Sequence, residues 1–145
     1  MRNARITSTG CAVPTKSLPN AYFDQLLGQP VSDWLVKHTG IEHRFHMEDG
    51  QVTSDLATQA AKQALERAKK SAAEVDLIIL ATDTPDHLSP ATSVVVQHKL
   101  GATNAIAFDV NCACAGFVTA LETATKFIQA DARVRTVLVI GAYGM

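Results

Sequence analysis

Three short apolar runs, separated by two stretches of helix length, limit the architectures open to this chain. They are Asp76-Leu77-Ile78-Ile79-Leu80-Ala81-Thr82, Ala105 to Val110, and Val134 to Gly141. A strand with one wet face alternates apolar and polar residues, whereas a strand buried on both faces does not. Parallel neighbours need long crossovers, and the stretches between these runs are long enough to supply them as helices. The predicted class is α/β, a mostly parallel sheet with helices on both faces.

The connecting stretches carry helix punctuation. Ser89-Pro90 predicts a start, with Ser as cap and Pro at the first helical position. Val94-Val95-Val96 favours a strand by itself, but the Pro before it and Gly101 after Leu100 decide for helix. Cys114 to Ala130 reads as a second helix, with Phe117, Leu121, Ala124 and Ile128 on one face. Upstream, Thr53 to Lys70 repeats Leu56, Ala60, Ala64 and Ala68 at four-residue spacing, and this small face predicts close packing against a sheet. Ser71 to Glu74 fits a capping box.

The first third of the chain is less regular. Ala4 to Val13 reads as a strand before a turn at Pro14. One short helix is expected from Asn20, as cap, to Gly28, and another from Ser32-Asp33 to Gly40. Ile41 to Met47 reads as a short strand, and Asp49-Gly50 as a turn. The expected strands number five.

Composition bounds the rest. The chain has 145 residues, the length of one domain, and is 47% hydrophobic, enough for a core. Charged residues make up 19%, below the usual quarter, which suggests surface covered by a partner or by further chain. A net charge of -1 gives no steering toward nucleic acid or an anionic membrane. No apolar run approaches the ~18 residues of a membrane span. No signal-peptide pattern opens the chain, and the three cysteines, Cys11, Cys112 and Cys114, suit free thiols. The expected location is cytoplasmic.

Ligands of open α/β sheets sit beyond the carboxyl ends of the strands. There Phe108-Asp109-Val110-Asn111-Cys112-Ala113-Cys114-Ala115-Gly116-Phe117 runs from a strand through small residues into a helix. Cys114 is thereby expected in the first helical turn, where free N–H groups and the dipole favour an anion. A helix end contributes roughly 0.3–1 kcal/mol to an adjacent charge, too little alone to activate a thiol, so a further base is wanted. Gly116, without a Cβ, would admit a substrate or a second backbone segment. Two other readings stay open from the residues alone. Both cysteines could be small buried core residues, or Cys-x-Cys could be half of a metal site.

The segments Ala107-Phe108-Asp109-Val110 and Ala113-Cys114-Ala115-Gly116-Phe117 resemble the nucleophile motif of the thiolase superfamily, and most closely that of the β-ketoacyl-acyl-carrier-protein synthase III family. Ser32-Asp33-Trp34-Leu35-Val36-Lys37-His38-Thr39-Gly40-Ile41 resembles a second family segment. Leu77 to Thr82, with His87 and Pro90, resembles a third.

The resemblance implies a thiolase-like amino-terminal half spanning 1–145, with a mixed, mostly parallel five-stranded sheet. It implies an acyltransferase in which Cys114 takes an acyl group from acyl-CoA and passes it to a malonyl group on acyl carrier protein. The backbone N–H of Cys114 would join the oxyanion hole. Trp34 would stack on the CoA adenine beside His38, while Leu88 and Ser89 would border the acyl pocket at a homodimer contact. No metal and no cofactor beyond the CoA substrate is implied.

The chain departs from the family pattern in several places. His38 stands for the usual Arg, Leu88-Ser89 for a bulky aromatic before Pro90, and Cys112 for the usual Ala. The His and Asn of the family's triad lie in a second half, and none of His38, His43, His46, His87 or His98 matches them. This chain alone is therefore expected to turn over little or nothing. A non-catalytic half-subunit that binds and dimerises, and a hydroxymethylglutaryl-CoA synthase-like condenser, are the competing readings. Apart from the resemblance, Trp34 could be a core or interface anchor. His43, Arg44 and His46 read as a solvated strand face, and His87 as loop polarity.

Overall fold

The five residues Leu77–Ala81 are all buried and form the centre of a parallel sheet (β3). In a computed structural model describing residues 2–144, β3 pairs with Ile106–Val110 (β4) on one side and Val137–Gly141 (β5) on the other. Leu77 stands opposite both Ile106 and Val137. Asp76 helps set this register. Its carboxylate accepts the N–H groups of Arg135 and Thr136 at 2.8 and 2.9 Å, and its carbonyl accepts that of Ile106. Alternation along β3 then sends Ile78 and Leu80 to one face and Leu77 and Ile79 to the other.

Each face is covered, as expected. Thr53–Ala68 (α3) and Thr92–Leu100 (α4) bring Ala57, Ala61, Leu65 and Val96 against Ile78, Leu80, Leu138 and Ile140. Gly116–Ala130 (α5) brings Ala120 and Ala124 against Leu77, Ile79 and Ala81. Full burial of one such aliphatic side chain is worth about 1.5–3 kcal/mol. The sheet and these helices form one compact unit, residues 2–12 with Val52–Gly144.

A second unit, Val13–Gln51, holds the other two strands. Lys16–Pro19 (β1) pairs antiparallel with His43–His46 (β2), Lys16 opposite His46. Between them lie Asn20–Leu27 (α1) and Ser32–Thr39 (α2), which end on left-handed Gly28 and Gly40 as expected. Asn20 is not a cap but the first helical residue. Its side chain donates to the Ile41 carbonyl at 2.7 Å and accepts from Arg44 at 2.8 Å.

Among the described residues the five strands thus form a three-stranded parallel and a two-stranded antiparallel sheet, not one sheet of five. The segment expected as a first strand, Ala4 to Val13, has no strand partner. Its groups bond to α3 instead. Ser8 Oγ donates to the Ala64 carbonyl, Arg67 donates to the Thr9 carbonyl, and the Cys11 N–H donates to Gln63. Residues 4–10 and β5 both line a groove of about 740 Å³, together with Ala64, Leu121 and Ile128. The Ala face of α3 does permit close packing, but against this segment. A Cβ on Gly10 would stand 2.2 Å from the Ala60 carbonyl oxygen. The apolar positions that α3 gives to the core under the sheet are Ala57, Ala61 and Leu65, one step around the helix from the stripe of Leu56, Ala60, Ala64 and Ala68.

Candidate active site

Two turns leave the carboxyl ends of neighbouring parallel strands, and together they carry three of the expected site residues. The first, residues 82–91 after β3, is held by side chains. Thr53 Oγ1 donates to the Thr84 carbonyl at 2.6 Å. The Asp86 carboxylate accepts the Ser54 N–H at 2.9 Å, and the Asp86 N–H donates to Thr92 Oγ1 at 2.9 Å. Thr84 Oγ1 accepts the Gly144 N–H at 2.9 Å. From this tethered loop Leu88 projects with its whole side chain exposed, at 102%, and Ser89 and His87 beside it are exposed.

The helix expected to start at Ser89-Pro90 starts at Thr92 instead. The reason is a tertiary cap. Asp109 on β4 accepts the N–H groups of Thr92 and Ser93 at 2.8 and 2.7 Å, satisfying donors that a local Ser cap would otherwise take. A carboxylate also suits the positive end of α4.

The second turn, residues 111–115 after β4, is exposed throughout. Within it Ala115 N–H donates to the Cys112 carbonyl at 3.1 Å, Ala113 N–H to Asn111 Oδ1 at 3.4 Å, and Gly116 N–H to the Ala113 carbonyl. Ala113 holds a left-handed φ of 46°, which costs a residue with a Cβ about 1–2 kcal/mol. Such strain is found where a site demands it. Cys114 lies in a 3-10 turn, Ala113–Ala115, rather than in the first turn of the α-helix, because α5 begins only at Gly116. It still precedes the positive end of a 15-residue helix.

Cys112 and Cys114 are both exposed, so neither is a core residue. Among the described residues no group of three or more His, Cys, Asp or Glu is arranged to hold a metal. A Cβ on Gly116 would stand 3.2 Å from the Ala81 Cβ of β3. What approaches Gly116 is therefore the sheet rather than a substrate.

Trp34 and His38 lie on α2 in the second unit. Their rings stack at 4.8 Å and 25°, and His38 Nδ1 donates to the Trp34 carbonyl at 2.8 Å. Trp34 is 58% exposed, so it is not a core anchor. Lys99, in the last turn of α4, reaches the start of α3 and bonds Ser54 Oγ at 2.6 Å and Asp55 at 2.7 Å. The Lys99 bond, then the Val52 N–H, lowers the pKa of Asp55.

Sequence reasoning missed Asp109, Asp86 and Thr53 as supports of these turns. A usable signal existed only for Asp109, an acidic residue in an otherwise apolar strand.

Known proteins resemble this chain in sequence and in fold. The family model for 3-oxoacyl-[acyl-carrier-protein] synthase III matches residues 108–145, the stretch from the end of β4 through α5 and β5. The β-ketoacyl-[acyl-carrier-protein] synthase III of Ehrlichia canis is 46% identical over 142 residues, 98% of this chain and 44% of its own length. The crystal structure of 3-oxoacyl-[acyl-carrier-protein] synthase III from Aquifex aeolicus superposes with a TM-score of 0.87 at 39% identity, over 94% of this chain and 44% of that one. The priming β-ketosynthase of the R1128 polyketide pathway superposes with a TM-score of 0.84 at 32% identity, over 89% and 38%. The chain therefore spans under half the length of the relatives it matches.

Proposed function

The chain belongs to the 3-oxoacyl-[acyl-carrier-protein] synthase III family, and from that premise we propose that it carries the acyl-accepting half of a carbon–carbon bond-forming acyltransferase. The observation that supports this most is the position of Cys114, an exposed thiol between β4 and α5 inside the segment the family model matches.

The Cys114 thiolate attacks the thioester carbonyl of acyl-CoA. The new S–C bond forms, the bond to the CoA sulfur breaks, and CoA leaves as thiol after taking a proton. Decarboxylation of malonyl-acyl carrier protein then releases carbon dioxide and leaves a carbanion. This attacks the Cys114 thioester, forms the C–C bond and returns the thiolate. The backbone N–H of Cys114 supplies part of the oxyanion stabilisation. The base that completes activation lies outside this stretch of chain, so residues 1–145, read as one amino-terminal thiolase-like domain, supply the thiol without full turnover.

Trp34 and His38 are the proposed contacts for the CoA adenine, with the exposed indole face as the stacking surface. Leu88 and Ser89 are the proposed border of the acyl pocket. The proposed assembly is a homodimer joined through β4, whose outer edge has no strand partner among the described residues. Free cysteines suit work in a reducing cytoplasm.

Intact-mass analysis after incubation with acyl-CoA donors tests the reading. An acyl adduct is expected that disappears in Cys114→Ala. An adduct that moves to Cys112, or none on the full-length protein, would overturn it and favour a non-catalytic binding subunit.

A further inference from the structure

The loop after β3 and the turn that carries Cys114 leave neighbouring strands, and two adjacent residues of β4 hold both ends of that loop. Ala81 and Val110 stand opposite each other at the carboxyl ends of β3 and β4. Neighbouring strands run about 4.8 Å apart. At the near end of the loop, the Thr82 N–H donates to the Val110 carbonyl at 3.1 Å. At the far end, Asp109 Oδ2 accepts the Thr92 N–H at 2.8 Å and Oδ1 accepts the Ser93 N–H at 2.7 Å. Residues 82–91 thus form a loop closed on Asp109-Val110, and the chain runs from Val110 directly into the Cys114 turn.

The caps of two helices brace the same loop. At the cap positions of α3 and α4 stand Val52 and Ala91, whose side chains hold no acceptor. Each helix takes a carboxylate from elsewhere. Asp109 serves α4. Asp86, inside the loop, accepts the Ser54 N–H at the start of α3 at 2.9 Å and donates its own N–H to Thr92 Oγ1 at 2.9 Å. The path from β4 into the loop is therefore Asp109, Thr92, Asp86. Ser54, Thr92 and Ser93 are wholly buried, so water does not stand in for these bonds, and all of them lie within the larger unit.

A helix start needs an acceptor, and a Ser or Asp at position 91 would supply one worth about 1 kcal/mol. Such a local cap would leave the loop free to shift against β4. A cap from position 109 stabilises the helix and also ties the end of the loop to the strand that leads to the thiol. The remote arrangement adds one thing the local one lacks, a fixed spacing between the loop and the Cys114 turn.

We propose that Asp109 is a positioning residue, which acts through Thr92 and Asp86 to hold Leu88 and Ser89 at a set distance from Cys114 and so selects the acyl chain that fits. The inference rests on the proposed roles of Cys114 as acyl acceptor and of Leu88 and Ser89 as the border of the acyl pocket. Both carboxylate oxygens of Asp109 are engaged by α4, so its effect falls on which donor fits rather than on the reactivity of the thiol. A misplacement of about 1 Å costs up to roughly 100-fold in rate, and one methylene in an apolar pocket discriminates roughly 10–200-fold. A loosened loop therefore relaxes chain-length preference.

The experiment uses the full-length protein and follows acylation of Cys114 by mass, with acetyl-, butyryl- and octanoyl-CoA as donors. Asp109→Asn keeps the volume but turns an N–H₂ toward one of the two helix N–H groups. Thr92→Val keeps the shape and both bonds of Asp109, and removes only the acceptor for the Asp86 N–H. The rate ratio between the best and the worst donor is expected to fall about tenfold in Asp109→Asn and about threefold in Thr92→Val, while alkylation of Cys114 by iodoacetamide stays within about twofold. A ratio that holds while every donor slows alike would reduce Asp109 to a helix cap and overturn the proposal. So would equal acylation of the unaltered protein by all three donors, or an iodoacetamide rate that changes as much as acylation does. Where Asp109→Asn does not fold, Thr92→Val decides alone, and an unchanged ratio there refutes the proposal. Absence of any adduct on Cys114 of the unaltered protein sinks the acyl-transfer reading and the inference with it, whereas an adduct with unaltered ratios in both variants sinks only the inference.

Discussion

The two compact units of this chain reach order by different means. In the larger, residues 2–12 with Val52–Gly144, Leu77, Ile78, Ile79 and Leu80 are wholly buried, and two apolar clusters cover the sheet faces. In the smaller, Val13–Gln51, the only residue in the buried class is the polar Asn20. Its order rests on polar clamps. Asn20 joins Ile41 and Arg44, Arg44 lies 4.6 Å over the Phe23 ring, and Asp24 grips the start of α2. Meanwhile Leu26, Trp34 and Phe45 are more than half exposed. Burial of a whole strand is a cooperative term of many kcal/mol, whereas each clamp contributes about 1 kcal/mol and can fail alone. The unit with the nucleophile is thus the rigid one, and the unit with Trp34 and His38 is the one able to open locally.

Four measurements can break or sharpen this contrast. The largest effect is expected for Ile78→Ala, which empties a fully buried site facing α3 and α4 and should cost about 2–5 kcal/mol in denaturant unfolding. A loss below about 1 kcal/mol would show that the sheet does not dominate the larger unit.

Next is Asp109→Ala. It removes the acceptor for the first N–H groups of α4, with an expected loss of about 1–3 kcal/mol and faster amide exchange at Thr92 and Ser93. Unchanged exchange there would mean that another group caps α4.

Asn20→Ala should cost about 1–2 kcal/mol, and the loss should be local. Amides of β1 and β2 should exchange faster while those of β3 to β5 keep their protection. Equal loss in both units would mean that they unfold as one.

The smallest effect is a pH response of the smaller unit. The Ser32 hydroxyl, with the Val31 and Ser32 N–H groups, holds the pKa of Asp24 below its usual value against a small opposing effect of burial. A carboxylate depressed in the folded state stabilises it above the unfolded value, and the contribution disappears as pH falls through the folded one. The Val31 and Ser32 amides should therefore lose protection at acid pH, and this dependence should vanish in Asp24→Asn. A dependence that persists in Asp24→Asn would assign the response to another group.

The parallel sheet of the larger unit was readable in the chain, and so were both helices and β2 of the smaller, while β1 and its pairing with β2 were not. Leu77 to Ala81 announces a doubly buried strand because every residue of it is apolar. Gly28, Gly40 and Gly101 mark helix ends because left-handed backbone is cheap only without a Cβ. Cys114 was recognisable from its neighbours, Ala113 to Phe117, and the fold does place it at a strand end facing solvent.

The errors share one cause: each depended on a partner remote in sequence. Ser89 looked like a cap, but Asp109, 20 positions on, already satisfies the first donors of α4, so the helix starts at Thr92. Asn20 looked like a cap, but its amide is engaged by Ile41 and Arg44. Residues 4–13 looked like a strand, and their backbone and hydroxyl groups went to α3.

Apolar periodicity, glycine stops and the cysteine turn are local, and a linear chain carries them in full. Which donor meets which acceptor, and which strands share a ladder, depends on groups brought together from 16 to 60 residues apart, as Asp109 with Ser93 and Asp76 with Thr136 show. Those pairings exist only once the chain has folded.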